Sequence, residues 1–195
     1  MSDLIKIPMF PLSIFPLPGE LVPLHIFEKR YRQLLEDAEK RDFSFGIYFS
    51  HTLNTEKLGA LVQLESVIKR YPEGESDIIV RCTDIFEMTK LYRTHEDKLY
   101  PGGDVRLWNT DLTVQVSNKL KSEFDSYLSA IHISTPAKEV SVYHIANELG
   151  LDMNQRLKFV LSDEEKKELF LLHHLHYQKQ LLHHVEKAKD VFHLN

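Results

Sequence analysis

Five histidines crowd residues 173–184: His173, His174, His176, His183 and His184. The HHxH run has the look of a metal-ligand cluster. A structural zinc needs four ligands and a catalytic zinc three plus water, and no cysteine or carboxylate stands at a matching spacing. Projected on a helix, Leu171, Leu175, Leu182 and Val185 fall on one side. His173, Tyr177, Gln180 and His184 fall on the other, with His176 and Lys179 at the flanks. That is the pattern of a solvated face, against which a metal site is the competing reading. Cys82, the sole cysteine, lies in a β-rich stretch beside Val80 and reads as a structural thiol, since nothing near it in sequence would lower its pKa. No G-x-S-x-G, no H-E-x-x-H and no G-x-x-x-x-G-K-[ST] occurs. The residues therefore predict no catalytic group, no metal and no cofactor. ATP binding is not expected, because cradling phosphates takes backbone donors in a Gly-rich turn at a helix start.

Composition narrows the partners. With 29 acidic against 24 basic residues the formal net charge is -5. Sequence-independent nucleic-acid binding rests on phosphate neutralisation by a basic surface, so it is not expected. A single cysteine forbids an internal disulfide and fits a reducing compartment. The N-terminus carries Asp3 and early prolines where a secretory signal would have a basic and then an apolar region. No run approaches the roughly 18 continuous apolar residues of a membrane span. The expectation is a soluble cytoplasmic protein with no membrane partner.

The chain is organised around residues 7–35. Five prolines lie between residues 7 and 23, among Met9, Phe10, Leu12, Ile14, Phe15, Leu17, Leu21, Val22 and Leu24. Proline lacks an amide and fixes φ, so most of this stretch is expected outside the middle of a sheet or helix, as an extended edge of the core. Pro18-Gly19 predicts a tight turn. From Phe27 the period changes: Tyr31, Leu34, Leu35 and Ala38 form one buried helical stripe. Glu28–Arg32 and Glu36–Lys40 are spaced as ion pairs.

Alternation predicts strands over 43–49, 57–71, 76–82 and 85–92, with a turn at Pro72-Glu73-Gly74, and suggests a small, mostly antiparallel barrel. Pro101-Gly102-Gly103 reads as a break before a short strand at 105–108. Helices follow. Val116, Leu120, Phe124, Leu128 and Ile131 share a face, and Thr135-Pro136 ends that region. A short helix over 141–149 is closed by Gly150. Asp152 with Gln155, and Ser162 with Glu165, look like capping boxes, the second opening a long helix over about 163–190.

The motif FPLS followed by PGELVPLHIFEKRYRQLLEDA resembles the opening of the Lon protease N-terminal, or substrate-binding, domain family. The matching residues are Phe10, Pro11, Leu12, Pro18, Gly19, Pro23, Leu24, Ile26, Phe27, Glu28, Arg30 and Tyr31. Leu17 and Lys29 depart from the pattern, and so does 80–86, where Val80, Cys82, Ile85 and Phe86 replace a V-x-G-x-x-R-F run. Gly59 and Gly74 match again, as do Ile145, Ala146, Leu149, Arg156, Leu157, Leu161 and Leu182 in the tail.

The resemblance implies an α+β fold. It comprises a PUA-like β-barrel or curled antiparallel sheet with one helix over 1–110, then a helical subdomain over 111–195 ending in a long helix, together one domain. It implies a free-standing member, without the ATPase and Ser-Lys protease domains, that recognises unfolded or extended polypeptide and catalyses nothing. An adaptor to a separate ATP-dependent protease is the alternative, and a PUA-like RNA reader a weaker one. Ile14, Phe15 and Leu17 are the candidate apolar contact, with burial in the module's own core the competing reading. Glu28, Arg30 and Tyr31 are a candidate polar recognition edge, against a purely structural reading in which Arg30 braces the sheet.

Overall fold

The computed structural model describes residues 4–133 and 140–192, with the side chains of the last helix described to residue 185. The chain divides into two compact units, Met1–Leu112 and Thr113–Asn195. Described residues form six strands and five helices: β1 Leu4–Leu12, β2 Leu21–Ile26, α1 Lys29–Arg41, β3 Phe45–Phe49, β4 Leu58–Arg70, β5 Ser76–Tyr92, β6 Gly102–Leu107, α2 Asn118–Ala130, α3 Val142–Glu148, α4 Met153–Leu161 and α5 Glu164–Phe192. The fold is α+β.

The first unit is one curled sheet of order β2-β5-β4-β3-β1-β6, in which β5 also pairs with β6. That extra pairing closes β5-β4-β3-β1-β6 into a ring and leaves β2 attached to β5 alone. Two strands change partner along their length. β1 pairs with β6 over Leu4–Pro8 and in parallel with β3 over Met9–Leu12. β5 pairs with β2 over Ser76–Arg81 and with β6 over Phe86–Tyr92. The ring is thus closed at one end, and between β1 and β2 it is open at the other.

Three sequence expectations need correction. Pro8 and Pro11 lie within β1, not outside the sheet. A proline removes a ladder bond only on the side its amide would face, and β1 has one partner strand at a time. The two strands expected over 76–82 and 85–92 are one strand of 17 residues. Its register against β4 shifts between Leu61 and Val62, where the Thr83 hydroxyl donates to the Leu61 carbonyl at 3.2 Å. Such a bulge bends a strand without ending it. Gly102 and Gly103 begin β6 and are no break. A Cβ on Gly103 would lie 2.6 Å from Met9 Cε, so the glycine marks close approach of β6 to β1.

The core of this unit gathers Phe10, Ile26, Tyr31, Leu34, Leu35, Ala38, Phe45, Ile47, Val62, Ile78 and Val80 between sheet and α1. The predicted helical stripe is therefore the buried one. α1 also buries Asp37, which accepts from Tyr100 Oη at 2.9 Å and lies 2.8 Å from Lys98 Nζ. Desolvation raises the pKa of the carboxyl, but the bonds from Lys98 and Tyr100, with the charges of Lys98 and Arg41, together hold it below the ordinary value. Cys82 is buried, its Sγ 3.6 Å from the Pro16 carbonyl, in keeping with a structural thiol.

In the second unit, Ser117 caps α2 by accepting from Leu120 N, and Leu120, Phe124 and Leu128 are its buried face. The expected stop at Thr135-Pro136 lies outside the described residues. Ser141 caps α3, and Gly150 follows it with φ +59°. Asp152 and Gln155 form the expected reciprocal box, each bond 2.9 Å. The cap of α5 is one residue later than expected. Asp163 Oδ1 accepts from Lys166 N at 2.9 Å, while the Ser162 hydroxyl is drawn back to the Lys158 carbonyl at 2.7 Å. Along α5, Leu171 and Leu175 are buried and His173, Tyr177, Gln180 and His184 exposed. Val185, expected with the leucines, is exposed. Among the described residues no group of three or more His, Cys, Asp or Glu is placed to hold a metal ion, and no helix is long and apolar enough to cross a membrane.

Candidate functional site

Where the ring of the first unit is open, a groove of about 370 Å³ runs between the end of β1, the loop after it, β2 and the start of α1. Phe10 and Leu12 of β1 and Ile14 of the loop form one wall. Pro23, Leu24, His25 and Ile26 of β2 form the other, and Phe27, Glu28 and Tyr31 close the end. The lining is predominantly apolar. Phe27 lines the groove and is 56% exposed, which places it at the mouth. Phe10 and Tyr31 lie 4.0 Å apart between ring centroids, tilted by 31°, and both are buried beneath the groove. Burial pushes the Tyr31 hydroxyl pKa up.

The rim is polar and its charges are engaged within the unit. Glu28 receives Arg30 Nε at 2.9 Å and Nη2 at 2.8 Å, and the guanidinium lies 4.7 Å above the Tyr31 ring. His25 Nδ1 lies 2.6 Å from Asp77 Oδ1, and Tyr71 Oη donates to Asp77 Oδ2 at 2.7 Å. The bonds from His25 and then Tyr71 hold the Asp77 carboxyl below its ordinary pKa. The expected Glu28–Arg32 pair does not form. Arg32 instead donates to the Glu73 carbonyl at 2.5 Å and approaches Glu75 at 3.8 Å. It is thus Arg32, not Arg30, that ties α1 to the β4–β5 turn. Glu28 is the N-cap residue of α1 and makes no side-chain cap bond.

The sequence candidates divide. Ile14, Glu28 and Tyr31 line the groove, and Arg30 lies against it through Glu28 and Tyr31. Phe15 and Leu17 are fully buried, which is the competing reading, in which they belong to the module's own core. Phe15 stacks on Phe49 at 5.7 Å, and the turn beyond it is tied to β5 by Gly19 N to Cys82 O at 2.8 Å and Cys82 N to Glu20 O at 2.9 Å. Sequence reasoning missed Phe10, Leu12, Pro23, Leu24, His25 and Phe27 as groove residues. The alternation of Val22, Leu24 and Ile26 was the available sign of β2, masked by Pro23. For Phe27 no local signal existed.

The family model of the ATP-dependent protease La (LON) substrate-binding domain matches residues 6–181. The chain belongs to that family. A crystal structure of a Lon N-terminal domain protein from Xanthomonas campestris is similar with a TM-score of 0.63 at 23% identity, covering 85% of this chain and 95% of that one. The N-terminal domain of Mycobacterium avium complex Lon protease is similar with a TM-score of 0.62 at 13% identity, covering 88% and 98%. At these identities the likeness is one of fold. No curated protein gave a match.

Proposed function

We propose that this chain is a substrate-recognition module that holds unfolded or extended polypeptide segments in the groove between β1 and β2. The observation that carries the reading is the groove itself. It is predominantly apolar, encloses about 370 Å³, and is set where the sheet is open. Binding pockets are commonly apolar clefts with a few fixed polar groups, and the rim of paired charges is of that kind. Family membership agrees, since the matched model is the substrate-binding domain. The role needs no reaction. It follows that many unrelated unfolded chains would bind weakly, through features that unfolded chains share.

The test is a titration with a reduced, carboxymethylated model protein that cannot refold. Phe27→Asp should weaken its binding by about tenfold, because it puts a charge where an apolar contact is made. A melting temperature close to that of the parent would show that the fold is intact. Unchanged binding in Phe27→Asp would remove the groove from the mechanism. A single stoichiometric partner in a pull-down, with no affinity for unfolded chains, would replace the reading by that of an adaptor to a separate protease.

A further inference from the structure

We infer that the groove takes its polypeptide by strand addition, the incoming segment pairing with the open edge of β2 and sending alternate apolar side chains into the groove. This rests on the recognition reading above and specifies how the chain is held. β2 pairs with β5 alone among the described residues, in antiparallel register from Leu21↔Arg81 to Ile26↔Ser76. In such a ladder, backbone groups turn alternately toward and away from the partner. Pro23 has no amide, so it loses no ladder bond only where that amide would point away from β5. Leu21 and His25 share its parity. The edge therefore offers amides at Leu21 and His25 and carbonyls at Leu21, Pro23 and His25.

Side chains follow the same period. Val22, Leu24 and Ile26 are half-buried or buried, and Leu21, Pro23 and His25 are exposed. A strand laid antiparallel beside β2 would continue both faces. Its residues opposite Val22 and Leu24 would enter the space bounded by Phe10, Leu12 and Ile14. Its residues opposite Leu21, Pro23 and His25 would make the backbone bonds and point outward.

Charge argues for the same occupant. Glu28 is held by Arg30, Asp77 by His25 and Tyr71, and Glu75 by Arg32. The rim has its charges already paired, so a segment with uncharged apolar residues at every second position matches it. Pairing through the backbone explains how one site would accept many sequences, because the main-chain groups are common to all of them. Proline should be excluded from the bonding positions and accepted at the groove-facing ones.

The experiment varies the peptide first and uses Phe27→Asp as its control. A short synthetic peptide alternating leucine and serine is titrated, together with copies N-methylated at one residue at a time. Antiparallel addition places leucine in the groove with the serine amides facing β2, whereas parallel addition would turn the leucine amides to β2. For antiparallel addition, N-methylation at a central serine should weaken binding about tenfold by removing a bond and adding a clash, and at leucine should change it less than about twofold. Loss confined to one parity is the expected result. Equal effects at both parities, with binding still weakened by Phe27→Asp, would overturn strand addition and leave the recognition reading standing. No binding of the peptide or of the unfolded model protein would overturn both.

Discussion

Residues 13–18 and 23–28 share a composition and differ in fate. Each mixes proline with large apolar groups. In the first, Phe15, Pro16, Leu17 and Pro18 are all buried. In the second, Pro23, His25 and Phe27 are exposed and line a groove. What separates them is the far side of each segment. The loop at 13–18 lies against Phe49 and the bend of β5 at Cys82, and its backbone is bonded there. The segment at 23–28 has β5 on one side and open space on the other. Apolar, proline-stiffened chain thus says that a surface wants covering. Whether the covering is internal or is left to a ligand depends on which strand arrives beside it.

Substitutions turn that contrast into numbers. The largest effect is expected in the buried half: Phe15→Ala should cost about 3 to 5 kcal/mol, seen as a sharp fall in melting temperature. A loss below about 1 kcal/mol would mean that the loop is not core. Next comes the helix that supports the groove floor. Asp37→Asn should cost about 2 kcal/mol at neutral pH by weakening the bonds from Lys98 and Tyr100. The Asp37 carboxyl is held below its ordinary pKa, so its contribution is in full force above the unfolded value of roughly 4 and is lost as pH falls through the folded value. Urea melts of parent and variant should therefore converge as pH drops below about 4, and a gap that stayed constant would contradict the assignment.

Smaller effects belong to the open half. Phe27→Ala should leave stability within about 0.5 kcal/mol, as exposed sites usually do, while weakening polypeptide binding about fivefold. If instead it melted like Phe15→Ala, the contrast between the two segments would be gone. Smallest of all, Arg30→Ala removes an exposed pair with Glu28, worth under about 1 kcal/mol, and should scarcely move the melting temperature. A measurable change in peptide affinity from this variant alone would show that the pair positions Tyr31 in the groove floor.

Much of the architecture was legible locally. The stripe of Tyr31, Leu34, Leu35 and Ala38, the alternation at 43–49, the Asp152 and Gln155 box and the exposed histidine face of α5 are set by residues a few positions apart. Backbone periodicity and capping are short-range physics, so sequence alone determined them. So was membership of the family, carried by a motif in the first third of the chain. What only the tertiary structure decided is exposure within that motif. Phe15 and Phe27 have comparable neighbours in sequence, and nothing local separates them. Their fates were settled by β5, which begins some fifty residues later, bends at Thr83, binds the turn after Phe15 through Cys82, and pairs with β2 on one edge. A side chain's burial is a property of the surface that meets it, and that surface comes from a distant part of the chain.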